Sequence, residues 1–242
     1  MSRSWPTRAQ SSIIGVAVLV AVTALSVGAL TVAAGTFVED GVAAADAQRV
    51  ANDLDNVGEH GTHTTRVEFS RGTLRVEQRT VRVLRDEATV LRLDAGALVY
   101  ENRGRRVATL GGVVVDGQRN RSTLSGPLPV VVADDRVLVD VVALNASGAT
   151  AVGGSTGAAA TVRTNATHEY RTLRAGRYAV AIETSTPGAW ERAVSEENPA
   201  GALGVERRDF DDDGVPSVVV SISGEATVDL AIHDLRAVVA RG

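Results

Sequence analysis

Three kinds of short motif in this chain bring together side chains able to do chemistry. The densest is Asp209-Phe210-Asp211-Asp212-Asp213-Gly214. Alternate carboxylates closed by a glycine match the first half of a calcium loop, in which oxygens turn inward and glycine permits the sharp bend. A full loop of that kind needs a bidentate glutamate at its twelfth position, where Val220 stands. The flanks also read as strands, not helices. Asp209, Asp211 and Asp213 are therefore read first as a solvated acidic turn, with the carboxylates apart in water. Calcium is the weaker alternative, and no other cofactor is implied.

His60-Gly61-Thr62-His63, following Glu59, offers two imidazoles. Its glycines make it a loop, without the i, i+4 helical geometry of a zinc-protease pair, so a polar break after a helix is the simpler reading. His168 and His233 have no partner visible in the sequence. The third motif recurs as Asn120-Arg-Ser122, Asn145-Ala-Ser147 and Asn165-Ala-Thr167. These are N-glycosylation acceptors in turn-like sequence.

Composition removes several chemistries. The 242 residues include no cysteine, which excludes disulfides, thiolate metal sites and thiol catalysis. All 25 basic residues are arginine, so a phosphate loop with its lysine is impossible. No G-x-S-x-G nucleophile elbow occurs. A net charge of −4, with arginines dispersed along the chain, argues against a nucleic-acid partner. Arginine without lysine, beside an acid excess, fits a GC-rich, salt-adapted source. The chain is expected to be no enzyme.

The N-terminus sets the expected organisation. Ile13–Phe37 is an uninterrupted, mostly apolar run, preceded by Arg3 and Arg8 and followed by Glu39 and Asp40. Its length suits a membrane-crossing helix, and the charge bias places the N-terminus in the cytoplasm and the rest outside. An ordinary secretory signal and an uncut anchor are the competing readings. The tetrad Arg8-Ala9-Gln10-Ser11 abuts this run. It resembles the class III leader of archaeal prepilins and archaellins, and the stretch that follows is similar to haloarchaeal pilin-like surface proteins. That resemblance implies cleavage between Ala9 and Gln10 by a prepilin-peptidase-like enzyme. It also implies a mature helix able to assemble with other pilin-like subunits, major or minor, in a filament or pseudopilus. Ile14 stands where bacterial pilins carry a glutamate, a departure that weakens the case for filament assembly.

Beyond the membrane, Val42, Val50, Leu54 and Val57 keep helical spacing until Gly58 and Gly61 end it. From Arg66 the period becomes two. Val67/Phe69, Leu74/Val76 and Val81/Val83 alternate with polar residues. Further strands are read at Thr89–Leu93, Leu98–Tyr100, Val107–Val115, Val130–Val132, Val137–Leu144, Tyr178–Thr184, Ser217–Ser223 and Thr227–Val239, with a helix at Pro187–Glu196.

The expected fold class is α+β. It has a long N-terminal transmembrane and stalk helix, then a mainly antiparallel β ectodomain with one short helix near the C-terminus. The expected divisions are a leader (1–9), a membrane helix and stalk (10–57), a β-rich ectodomain (58–149), a small-residue linker or loop (150–160) and a strand–helix–strand segment (161–242). The expected role is a structural, pilin-like surface subunit. The alternative is an individually anchored module for binding or adhesion.

Overall fold

The computed structural model describes residues 21–23, 37–118, 121–133, 136–198 and 201–242. Helix α1 occupies residues 37–58. From residue 43 it presents one buried stripe, Ala43, Ala47, Val50, Leu54 and Val57, at spacings of three and four. Asp46 lies in that stripe and is almost fully buried. Its carboxylate accepts the Ser70 amide at 2.9 Å, the Ser70 hydroxyl at 3.1 Å and the Arg71 amide at 3.3 Å, while Arg49 bonds it from one helical turn away. A buried carboxylate is tolerable only when so satisfied, so Asp46 ties the helix to the turn it packs against.

Strands follow in close succession. β1 (Thr64–Phe69), β2 (Gly72–Glu77) and β3 (Thr80–Arg85) stand where the alternation placed them, and β4 (Ala88–Asp94) and β5 (Ala97–Asn102) where further strands were expected. The run Val107–Val115 is two strands, β6 (Arg105–Leu110) and β7 (Val113–Gln118). Gly111 and Gly112 between them both take positive φ, +62° and +88°, the conformation of a tight primed hairpin turn. β8 (Arg121–Ser125), β9 (Val130–Ala133), β10 (Arg136–Ala143), β11 (Ser147–Gly148), β12 (Ala151–Gly154) and β13 (Ala158–Arg163) come next. The small-residue stretch 150–160, expected as a linker or loop, thus carries β12 and the start of β13. After β14 (Thr167–Gly176) and β15 (Tyr178–Glu183) comes α2, at Pro187–Glu196 as expected. β16 (Leu203–Arg208), β17 (Ser217–Ile222), β18 (Ala226–Asp234) and β19 (Val238–Arg241) complete the chain.

The strands form four sheets in a four-bladed, propeller-like arrangement. Their orders are β1-β13-β19-β11, β14-β18-β10-β9, β12-β2-β5-β6-β7-β8 and β16-β17-β15-β3-β4. Propeller blades are usually meanders of consecutive strands; only the six-stranded sheet holds such a run, β5 to β8. Among the described residues the fold is therefore mainly β, with 55% strand and 17% helix, and not the α+β class expected. The long helix expected over 10–57 is also not seen as such: among the described residues helix occurs at 21–23 and 37–58, and from 43 it is sealed against strands.

Residues 43–242 form one compact unit. Within it the six-stranded sheet is buried on both faces. Ala97, Val99, Val113 and Val115 join one core with Val81, Val180, Val218, Val139 and Leu230 from two other sheets, and with Trp190 of α2. Leu98, Tyr100, Val107 and Val114 point the other way, into a core with Val50, Leu54 and Val57 of α1 and Val67, Val162 and Val239. Two-sided burial explains why β5 and β7 read as continuous apolar runs. At one end of this sheet Arg75, Arg79 and Arg106 surround Glu77, and Arg75 and Arg106 also grip Glu101.

Among the described residues, no helix is long and apolar enough to cross a membrane. Residues 37–58 carry Glu39, Asp40, Asp46, Arg49, Asp53 and Asp55, too many charges for hydrocarbon. The single-pass placement and the membrane assignment that went with it are accordingly not upheld. The apolar run Ile13–Phe37 and the tetrad Arg8-Ala9-Gln10-Ser11 lie outside the described residues, save 21–23 and 37.

Candidate metal centre

Three of the four histidines meet at one place. In the antiparallel pair β14/β18, His168 lies directly opposite His233. In the parallel pair β10/β18, Asp140 is opposite Ala231 and Val142 opposite His233. Side chains two apart on a strand share a face, so Asp140 sits diagonally from His233. That face turns away from the core filled by Val139, Val141, Leu230 and Ile232. His60 arrives from the turn after α1. The fully buried Thr164 fixes this turn, donating its hydroxyl to the Gly61 carbonyl at 2.8 Å and accepting the His63 amide at 3.1 Å.

The geometry is tight. His233 is only 5% exposed, and its Nε2 stands 3.1 Å from Asp140 Oδ1. The two atoms are not aligned for a hydrogen bond, and the buried Oδ1 has no such partner. His233 Nδ1 lies 2.6 Å from His168 Nδ1, so one of these nitrogens carries the proton and the other accepts it. The His60 ring stacks on that of His233, with centroids 3.9 Å apart and planes 12° from parallel. Ligand atoms of His60, Asp140 and His233 all fall within 4.8 Å of one another. Burial holds the His233 pKa below the usual histidine value. Asp140 opposes this, while His60 and His168 reinforce it by repelling a second positive charge. A neutral imidazole is the form that ligates metals.

The acidic turn is built differently. Asp209 accepts the amides of Asp211 at 3.3 Å and Gly214 at 3.0 Å, and Asp213 accepts that of Val215 at 2.8 Å. Asp211 does not stand apart in water: it pairs with the guanidinium of Arg82 on β3, 3% exposed, which also lies 4.9 Å over the Phe210 ring. The carboxylates thus serve backbone amides and an arginine. His63 is held by Thr164, its Nδ1 3.2 Å from the hydroxyl, and takes no part in the histidine cluster. Asn145 and Asn165 are exposed in loops, and the Asn145 amide donates to Asp234 at 3.2 Å. Asn120 lies outside the described residues.

Asp140 and the joining of His60 to His233 were missed in the sequence. The one signal was a lone carboxylate inside the valine-rich run Arg136–Ala143, a costly residue for a buried strand.

Residues 8–238 match a family described as "Family of unknown function (DUF7289)". The chain belongs to that family. The match spans α1, all four sheets and the three cluster residues, so it covers the fold that builds the site. No curated protein and no solved structure matches the chain.

Proposed function

We propose that this chain is a non-enzymatic structural subunit that assembles with further copies of itself through its N-terminal helical segment. The observation that carries the reading is the contrast along α1. From residue 43 the helix is locked into the β-rich body, yet Phe37 and Val38 near its start are 78% and 67% exposed. Exposed apolar surface of this kind is a feature of protein–protein or membrane contacts, and the proposed partner is another copy of the chain. In sequence they continue the apolar run from Ile13. The reading includes cutting between Ala9 and Gln10, which the leader-like tetrad suggests. A second reading, a binding module, is favoured by the convergence of His60, Asp140 and His233.

The test compares the full chain with a Phe37→Asp/Val38→Asp double variant by light scattering coupled to size exclusion. Both side chains are already exposed, so the variant should fold. Wild type is expected to run as an oligomer at micromolar concentration, and the variant to shift to smaller species. A monomeric wild type, or identical profiles, sinks the assembly reading.

A further inference from the structure

We propose that His60, Asp140 and His233 bind a divalent first-row transition ion, with His168 as the positioning residue behind His233, and that this ion staples the turn after α1 to the β10/β18 sheet. Three observations converge on this. The buried Asp140 Oδ1 faces His233 Nε2 at 3.1 Å without a hydrogen bond. Two ligands bound to one ion at about 2.0–2.2 Å stand roughly 3.0–3.5 Å apart, so the spacing suits neighbours in a coordination shell. The third ligand residue comes from a turn already fixed by Thr164.

The proton arrangement follows. A metal on His233 Nε2 requires the proton on Nδ1, which then donates to His168 Nδ1 at the 2.6 Å separation the structure records. A ligating histidine held by its other nitrogen is the usual way its ring is oriented and its tautomer fixed. The stacked His60 ring must move, because two parallel rings cannot aim in-plane lone pairs at one ion. His60 is exposed and in a turn, so rotation out of the stack meets little resistance.

The donor set selects the ion. Two imidazoles and one carboxylate, with no thiolate, suit zinc and its first-row neighbours, whereas calcium and magnesium prefer all-oxygen shells. Three protein ligands leave a further position for water. The ligands come from a turn near residue 60, from β10 and from β18, so an ion here would lock together segments remote in sequence. This inference stands apart from the assembly reading, since no ligand lies on the exposed start of α1.

The experiment uses the full chain, freed of metal with chelator and titrated with zinc chloride, reading heat of binding and thermal unfolding. Expected are one saturable site per chain and a melting temperature raised by roughly 5–10 °C at a hundredfold excess over Kd. His60→Ala removes an exposed side chain. It loses only the ring stack on His233, so it should shift the metal-free melting temperature little while abolishing the zinc-induced rise. Asp140→Asn should also abolish the rise, and His168→Ala should weaken affinity about tenfold or more. Cobalt should give the visible absorption of a nitrogen- and oxygen-ligated site, lost in His60→Ala. Absence of saturable zinc binding overturns the proposal. So does a zinc shift that survives both His60→Ala and Asp140→Asn, or an equal shift with magnesium or calcium. Because assembly is read separately by size, a failure here leaves that reading intact, and the reverse holds.

Discussion

Glu77 illustrates how this chain handles charge inside its sheets. Its side chain is 13% exposed, and hydrogen bonds reach it from Arg75 at 2.8 Å and Arg106 at 2.7 Å, with Arg79 closer still. Burial alone would raise its pKa, but Arg106, Arg79 and Arg75 outweigh that and hold it below the ordinary value of 4.5. A carboxyl depressed in the folded state binds its proton more readily once the chain unfolds. Its contribution to stability is therefore complete above pH 4.5 and is lost as pH falls through the folded value. Glu77→Gln is expected to cost about 2 kcal/mol at pH 7. It should also flatten the loss of stability below pH 4.5, as measured by urea unfolding across pH 3–7. A wild-type pH dependence retained in the variant would show that other groups carry it. Asp211 makes the same point at the acidic turn. With Arg82 buried behind it, Asp211→Asn should lower the melting temperature by roughly 3–6 °C, a cost of about 1–2 kcal/mol, and millimolar calcium should not restore it. An unchanged melting temperature would mean that the pair is idle, and a calcium-dependent rise would make the turn a metal loop.

At the scale of elements, the hairpin between β6 and β7 rests on two glycines with different tasks. Gly111 needs its positive φ but faces open space. A side chain on Gly112 would also meet Val142 at 2.8 Å. Gly111→Asn should be nearly neutral, since asparagine tolerates such turns. Gly112→Val should cost about 2–4 kcal/mol from backbone strain and overpacking, and chemical denaturation of the two variants should separate them. Equal effects would sink this account. The same hairpin marks what the sequence disclosed. β1 to β3 were legible because their alternation is clean, and α2 because Pro187 opens it and Asn198-Pro199 follows it. β6 and β7 merged into one expected strand because two-sided burial erases the alternation that separates neighbours. β12 and β13 hid in glycine and alanine, which carry almost no period. β14 and β16 escaped because they present mostly exposed polar residues at sheet edges. Of the candidate centre, His60 was visible as a loop histidine. Its convergence with Asp140 and His233 depends on strand partners that no local pattern reveals.

At the scale of the molecule, the family match over residues 8–238 takes in nearly all of the unit that packs as one body, residues 43–242, and also the segment before it. What joins that unit is pairing between remote segments. β1 pairs with β13, β2 with β12 and β3 with β15, while β10 lies parallel to β18. This interleaving has a consequence for the order of events during synthesis. The first three strands leave the ribosome long before the strands that cover their edges exist. They must wait with unpaired backbone exposed, the state most open to wrong partners. Loop closure of this reach is slow, so the body can settle only after β18 and β19 have emerged. Nascent chains stopped before β13 would hold α1 and the six-stranded sheet without the layer that seals them, and would depend on chaperones for as long as translation lasts.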